Sequence, residues 1–216
     1  MPQPVWENAS RELLLVVTAR DASAGTTDSL STRLRIDLQP TPPAGTLSIR
    51  SRADTLPARP ATLLHVDHDG HFVDPLPTPT CPGASGDLSP LQARMILPRA
   101  ARSWPVRDSL AYDTCVRGVR ARVRALVTWP APSFDDARQV WAQTLSVSGW
   151  LVADSSRALP MRLRGELSGH GTLELSPDKL DVLHAAGELL LDLSAESSLK
   201  SQRVTQRVAY EVPRRP

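Results

Sequence analysis

The chain has 216 residues, of which 41% are hydrophobic but only 4% aromatic, and a formal net charge of +2. That length fits one large domain or two small ones sharing a sheet, the core must be built from Leu, Val and Ala, and the charge is too small to call for a polyanionic partner. No apolar run approaches the roughly 18 residues needed to cross a bilayer, which leaves no transmembrane segment in this chain.

Twenty prolines are expected in loops, edges and strand ends, because proline cannot donate to a ladder. Lysine occurs only at Lys179 and Lys200, so nearly all basic charge is arginine. A GC-rich coding bias accounts for this; the alternative is selection for bidentate anion contacts.

In chain order, Glu12 to Arg20 reads as a strand with Leu13, Leu15, Val17 and Ala19 on one face. Leu14 and Val16 make its other face apolar too, which predicts a strand covered on both sides. Leu30 to Leu38 follows, with Leu30, Leu34, Ile36 and Leu38 inward, and then a short strand from Thr46 to Arg50. Between Leu63 and Val73 the dipeptide Asp69-Gly70 predicts a two-residue type I′ hairpin. That register sets His68 opposite His71 and Val66 opposite Val73. Ser89-Pro90 reads as an N-cap followed by proline at the first helical position, opening a short helix over 89–97 that Pro98 stops.

Asp108 to Cys115 and Val119 to Trp129 form a second hairpin. Val119, Ala121, Val123, Ala125, Val127 and Trp129 share one face; Arg117, Arg120, Arg122 and Arg124 crowd the turn and the other. The segment 131–138 is a connection with room for one helical turn. Strands follow at Val140 to Ala153, Gly187 to Ala195 and Arg203 to Val212. The clearest signal lies at Met161 to Leu175, where Met161, Leu163, Gly165, Leu167, Gly169, Gly171, Leu173 and Leu175 alternate with polar residues. Period two with one apolar face marks a half-buried strand or tight hairpin. Ten to twelve such strands predict an all-β protein: a curved antiparallel sheet forming a half-barrel or barrel, with one short helix. Residues 1–216 form a single domain on this reading, with a sub-division near 130–140 as the alternative.

Candidate chemistry is sparse. Residues 65–71 (His65-Val66-Asp67-His68-Asp69-Gly70-His71) hold the densest cluster of ligand-type side chains, and His68 with His71 is the pair that could meet a zinc or copper ion. A solvated hairpin tip is the simpler reading. No G-x-S-x-G elbow or phosphate-binding G-x-x-x-x-G-K-[ST] loop is present. Arginines 117–124 lack neighbouring aromatics for base stacking, so no nucleic-acid partner is read from them. Trp104, Trp129, Trp141 and Trp150 are core or rim anchors, or else a ligand-stacking platform.

The opening Met1-Pro2-Gln3-Pro4-Val5-Trp6 shows no signal peptide. The chain is therefore cytosolic, or a mature sequence whose leader has been removed. Its two cysteines favour the second reading. Cys81 sits in a proline-rich loop with little core to bury a thiol. A disulfide to Cys115 would close a loop of about 35 residues and stabilise by roughly 3–4 kcal/mol in the chain-entropy model. Such a bridge places the protein in the periplasm or outside the cell.

Cys81, Ser103-Trp104, the run Asp113-Thr114-Cys115-Val116-Arg117-Gly118-Val119 and the glycine-punctuated strands from Gly149 onward resemble uncharacterised secreted β-rich proteins of environmental bacteria, known as domains of unknown function. The pattern covers roughly 63–195 and implies secretion and a disulfide, with no catalytic residues to carry over. The layout is also similar, as a fold analogy only, to the half-barrel of bacterial lipoprotein carriers.

The expectation is therefore a non-enzymatic envelope or secreted binding protein with no cofactor. Aliphatic residues interspersed with small ones line a concave face that can take a hydrophobic small molecule or lipid, with Val123, Ala125, Val147, Leu163, Leu167 and Leu191 as contacts. The alternative is a structural subunit of a larger assembly, pairing with another envelope protein through edge strands at Arg203 to Val212 or Thr46 to Arg50. A metal-dependent enzyme using the 65–71 histidines is the third reading.

Overall fold

A computed structural model describes residues 8–21, 24–41, 46–53, 62–67, 71–73, 76, 89–99, 101, 103–116, 119–153, 161–179, 181–197 and 201–214. Eleven strands and one helix follow in chain order: β1 Ala9–Asp21, β2 Thr26–Thr41, β3 Thr46–Ala53, β4 Thr62–Val66, α1 Pro90–Ile96, β5 Val106–Val116, β6 Val119–Trp129, β7 Ser133–Asp135, β8 Val140–Ala153, β9 Met161–Leu175, β10 Val182–Ser197 and β11 Ser201–Val212. Among the described residues no helix is long and apolar enough to cross a membrane.

The strands form one antiparallel sheet curled into a half-barrel, ordered β4-β3-β2-β1-β11-β10-β9-β8-β6-β5, with β7 paired to β8 off this path. Apart from the small β7 detour, all neighbours are consecutive in sequence except β1 and β11. The last strand thus seals onto the first, Leu15 opposite Tyr210. The barrel stays open between β4 and β5, and the segment that joins them carries α1.

Alternation decides which side of the wall each residue takes. On β9, Leu163, Gly165, Leu167, Gly171, Leu173 and Leu175 are buried while Arg162, Arg164, Glu166, Ser168, His170 and Thr172 are exposed. The stretch is one continuous strand rather than a hairpin. Ala121, Val123, Ala125, Val127 and Trp129 on β6 are likewise inward, with Arg120, Arg122 and Arg124 outward. Outer charges pair across strands, Arg122 with Asp113 at 3.0 Å and Arg207 with Glu188. Exposed pairs of this kind contribute about 0–1 kcal/mol, so the inner wall carries the stability.

Helix α1 lies against β5 and β10 inside the curl. Ser89 caps it through a capping box: its Oγ accepts from Gln92 N (3.2 Å) while Gln92 Oε1 accepts from Ser89 N (2.9 Å). Such a cap contributes about 1 kcal/mol. Leu91, Met95 and Leu97 are fully buried against the concave wall. Beyond the helix, Gln143 on β8 clamps the chain, accepting from Arg99 N at 2.8 Å and donating to Arg99 O at 2.7 Å.

Several expectations are corrected. Residues 133–135 form strand β7, where a helical turn had room, and Asp135 Oδ1 accepts from Ala137 N and Arg138 N in the turn that follows. Leu14 and Val16 are only half-buried, because nothing among the described residues covers the convex face of β1. Arg203–Val212 and Thr46–Arg50 are not edges: β11 is held by β10 and β1, and β3 by β2 and β4. The ends of the sheet are β4 and β5. Across the segment near 130–140, β6 pairs directly with β8.

The hairpin after β4 also slips by one residue. Val66 bridges Phe72, Asp67 N donates to His71 O (2.8 Å) and Val73 N donates to His65 O (3.1 Å). A one-residue slip sends every following side chain to the opposite face, which sets His71 across from Asp67 and not His68.

Candidate binding sites

Two cavities flank α1. The first holds about 460 Å³. The inward faces of β10 and β11 form its floor, with Leu189, Leu191, Leu193, Val204 and Val208. Leu15 and Val17 of β1 form one wall and Tyr112, Thr114 and Val116 of β5 the other. Leu91 and Gln92 of α1 roof it. Leu30 lies at its mouth, 54% exposed, although its parity is inward; an apolar rim left open to water suits entry of an apolar molecule. Burial pushes the Tyr112 phenol upward from its ordinary range.

Of the six predicted contacts, Val123, Leu167 and Leu191 line this cavity. Ala125, Val147 and Leu163 lie in the packed core beneath the same face and do not reach it. The small residues of β9 do not make the space. A Cβ on Gly165 would lie 2.7 Å from Leu193 Cδ2, and one on Gly169 would lie 2.7 Å from Leu189 Cδ2, so leucines of β10 fill those gaps. Gly171 and Gly187 are cross-strand partners under the Tyr210 ring, whose hydroxyl stands 2.2 Å and 2.4 Å from where their Cβ atoms would be. The cavity exists because a seven-residue helix is too short to fill a ten-strand curl.

The second cavity, about 370 Å³, runs along the outer edge of β5 over residues 107–111, touching both faces of the strand. Asp108, Leu110, Arg94, His71 and Phe72 border it. Asp108 is buried and holds two buried guanidiniums: Arg94 Nε at 2.9 Å on Oδ2 and Arg99 Nη2 at 3.0 Å on Oδ1. Arg94 also lies over the Trp129 ring, 5.1 Å from its centroid. Burial pulls the Arg94 guanidinium down to about 10, against the upward pull of Asp108, so it remains charged at neutral pH.

Arg99 Nη2 lies 2.6 Å from His71 Nε2. A guanidinium can only donate, so Nε2 accepts and the ring proton sits on Nδ1, 3.4 Å from Asp67 Oδ2. The lone pair that a metal would need on His71 is thus turned to a cation. His68 lies outside the described residues, and among those described no group of three metal-ligating side chains forms. Cys81, one end of the expected disulfide to Cys115, also lies outside the described residues.

The tryptophans do not share a platform. Trp129 is fully buried inward, Trp150 is exposed on the convex face beside Arg124, and Trp141 packs edge-on against Phe134 at 5.1 Å. His170 is exposed on the convex face too. Sequence reasoning missed the Arg94–Asp108–Arg99 cluster. Its one signal was Asp108, a charge on the inward parity of β5 beside Leu110 and Tyr112.

No family model matches the chain, and no curated protein matches its sequence.

Proposed function

We propose that this protein is a non-enzymatic binding protein of the cell envelope or the extracellular space that holds a hydrophobic molecule, such as a lipid acyl chain, beneath α1. The observation that carries this reading is the cavity of about 460 Å³ whose lining is mostly Leu, Val and Ala and whose apolar rim at Leu30 opens to water. A well-packed core leaves few voids larger than a water molecule, so space of this size in an aliphatic wall is suited to an apolar guest. A Cys81–Cys115 bridge belongs to the same reading and would fix the β5 side of that wall.

Protein purified from its native source is extracted with organic solvent and the extract analysed by mass spectrometry. We expect a co-purifying lipid. Stripped protein should take up decanol, and Leu191→Trp, which fills the cavity, should weaken that uptake at least tenfold. Highly purified protein that carries no lipid and ignores decanol would overturn the reading.

A second reading has one observation in its favour: β5 is an end strand that pairs only with β6 among the described residues. Its free edge can add a strand from another envelope protein. A monomeric mass for the native material would remove this reading.

A further inference from the structure

At Arg94, which lines the second cavity, and at Arg99 and Trp129 beside it, buried polar atoms lack partners in a lopsided way. Arg94 Nη1 and Nη2, Arg99 Nε and Nη1, and Trp129 Nε1 have no hydrogen-bond partner among the described residues. Every one of them is a donor. The other orphaned atom among the described residues, the Tyr210 hydroxyl, belongs to the glycine-backed ring on β11. The five donors are close neighbours, because Arg94 and Arg99 grip the same carboxylate and Arg94 stacks on Trp129.

Two cations and two anions make up the cluster's charges. Two guanidinium side chains, 1% and 5% exposed, share one carboxylate that is 6% exposed. His71 contributes only an acceptor. Asp67 lies on the far side of that ring, 29% exposed, and is engaged by His71. Buried charge is tolerated when paired and hydrogen-bonded; here Asp108 and Asp67 offset the two guanidiniums, and five donors are left over. What completes such a set is a group with several acceptor oxygens, and Arg107, which lines the same cavity, adds the positive charge that favours an anion. The planar Arg94 fork offers two parallel N–H bonds, the match for a carboxylate or phosphate edge.

The geometry points to an oxyanion site in which Arg94 and Arg99 bind the carboxylate or phosphate group of a small molecule or lipid headgroup entering between β5 and residues 71–72. Asp108 then acts as the positioning residue that aims both guanidiniums. The site stands independently of the acyl-chain reading, since the two cavities share α1 and β5 but no lining residue.

The intact chain is titrated calorimetrically with inorganic phosphate, decyl phosphate, decanoate and decanol, with chloride at matched ionic strength as reference, and its melting temperature is followed in each. Binding of inorganic phosphate identifies the free ion as sufficient; binding of decyl phosphate or decanoate without phosphate identifies an amphiphile's headgroup. In either case R94K and R99K, which keep the charge but lose the fork, should weaken the anion at least tenfold and leave decanol unchanged. If R94K fails to fold, R99K carries the comparison. Anions that do no more than chloride, or that bind both variants as they bind the parent, overturn the proposal and leave water as the filler of the donor set. Loss of decanol binding alone would instead strike the acyl-chain reading.

Discussion

The two ends of strand β5 face the same concavity with opposite chemistry. At one end Tyr112, Thr114 and Val116 close a cavity whose lining is mostly aliphatic. At the other end Asp108 anchors two buried arginines whose remaining donors face no acceptor among the described residues. One strand therefore borders two environments of opposite chemistry. The apolar end is held by area removed from water, which is forgiving of detail. The charged end is held by a few directional contacts whose loss leaves an uncompensated charge.

The largest test of that contrast is Asp108→Asn. Removing the shared anion should cost about 3–5 kcal/mol, read as a lowered urea midpoint, because two guanidiniums then stay buried without it. A loss below 1 kcal/mol would mean that the cluster opens to water. At the apolar end Leu91→Ala should cost less, about 2–3 kcal/mol, the low side for a core leucine, because Leu91 already borders a void. Equal costs at the two ends would erase the distinction.

The two buried tyrosines give the finest comparison. Tyr112→Phe removes a hydroxyl that lines the apolar cavity beside Ser89 and should cost up to about 1 kcal/mol. Tyr210→Phe removes a hydroxyl without a partner among the described residues and should be neutral or slightly stabilising. Burial raises both phenols above their ordinary 10.0. In an alkaline absorbance titration, neither should ionise in the ordinary range while the fold persists. A tyrosine that ionises near 10 in the folded protein would show that its ring is open to solvent.

The wall was legible from the residues and the cavities were not. Met161–Leu175, Val140–Ala153 and Val119–Trp129 have the bounds expected from their alternation, and Ser89-Pro90 opens the helix as a cap should. Those features depend on neighbours a few positions away. The register expected for the 65–71 hairpin was off by one residue, with Val66 opposite Phe72 in place of Val73. Glycine was misread as space, since Gly165 and Gly169 face leucines from another strand. Arg94, Arg99 and Asp108 span a helix, a loop and a strand, and no spacing rule links them.

Period-two alternation, proline placement and one capping box determined the all-β class and the inward face, because they act through bonds and contacts local to each segment. Tertiary structure alone decided that β11 seals onto β1, that the opening falls between β4 and β5, and that a short helix lies inside the curl with a void on one side and a surplus of buried donors on the other. Those outcomes depend on how far the sheet curls and on which side chains meet across it, quantities that no single segment contains.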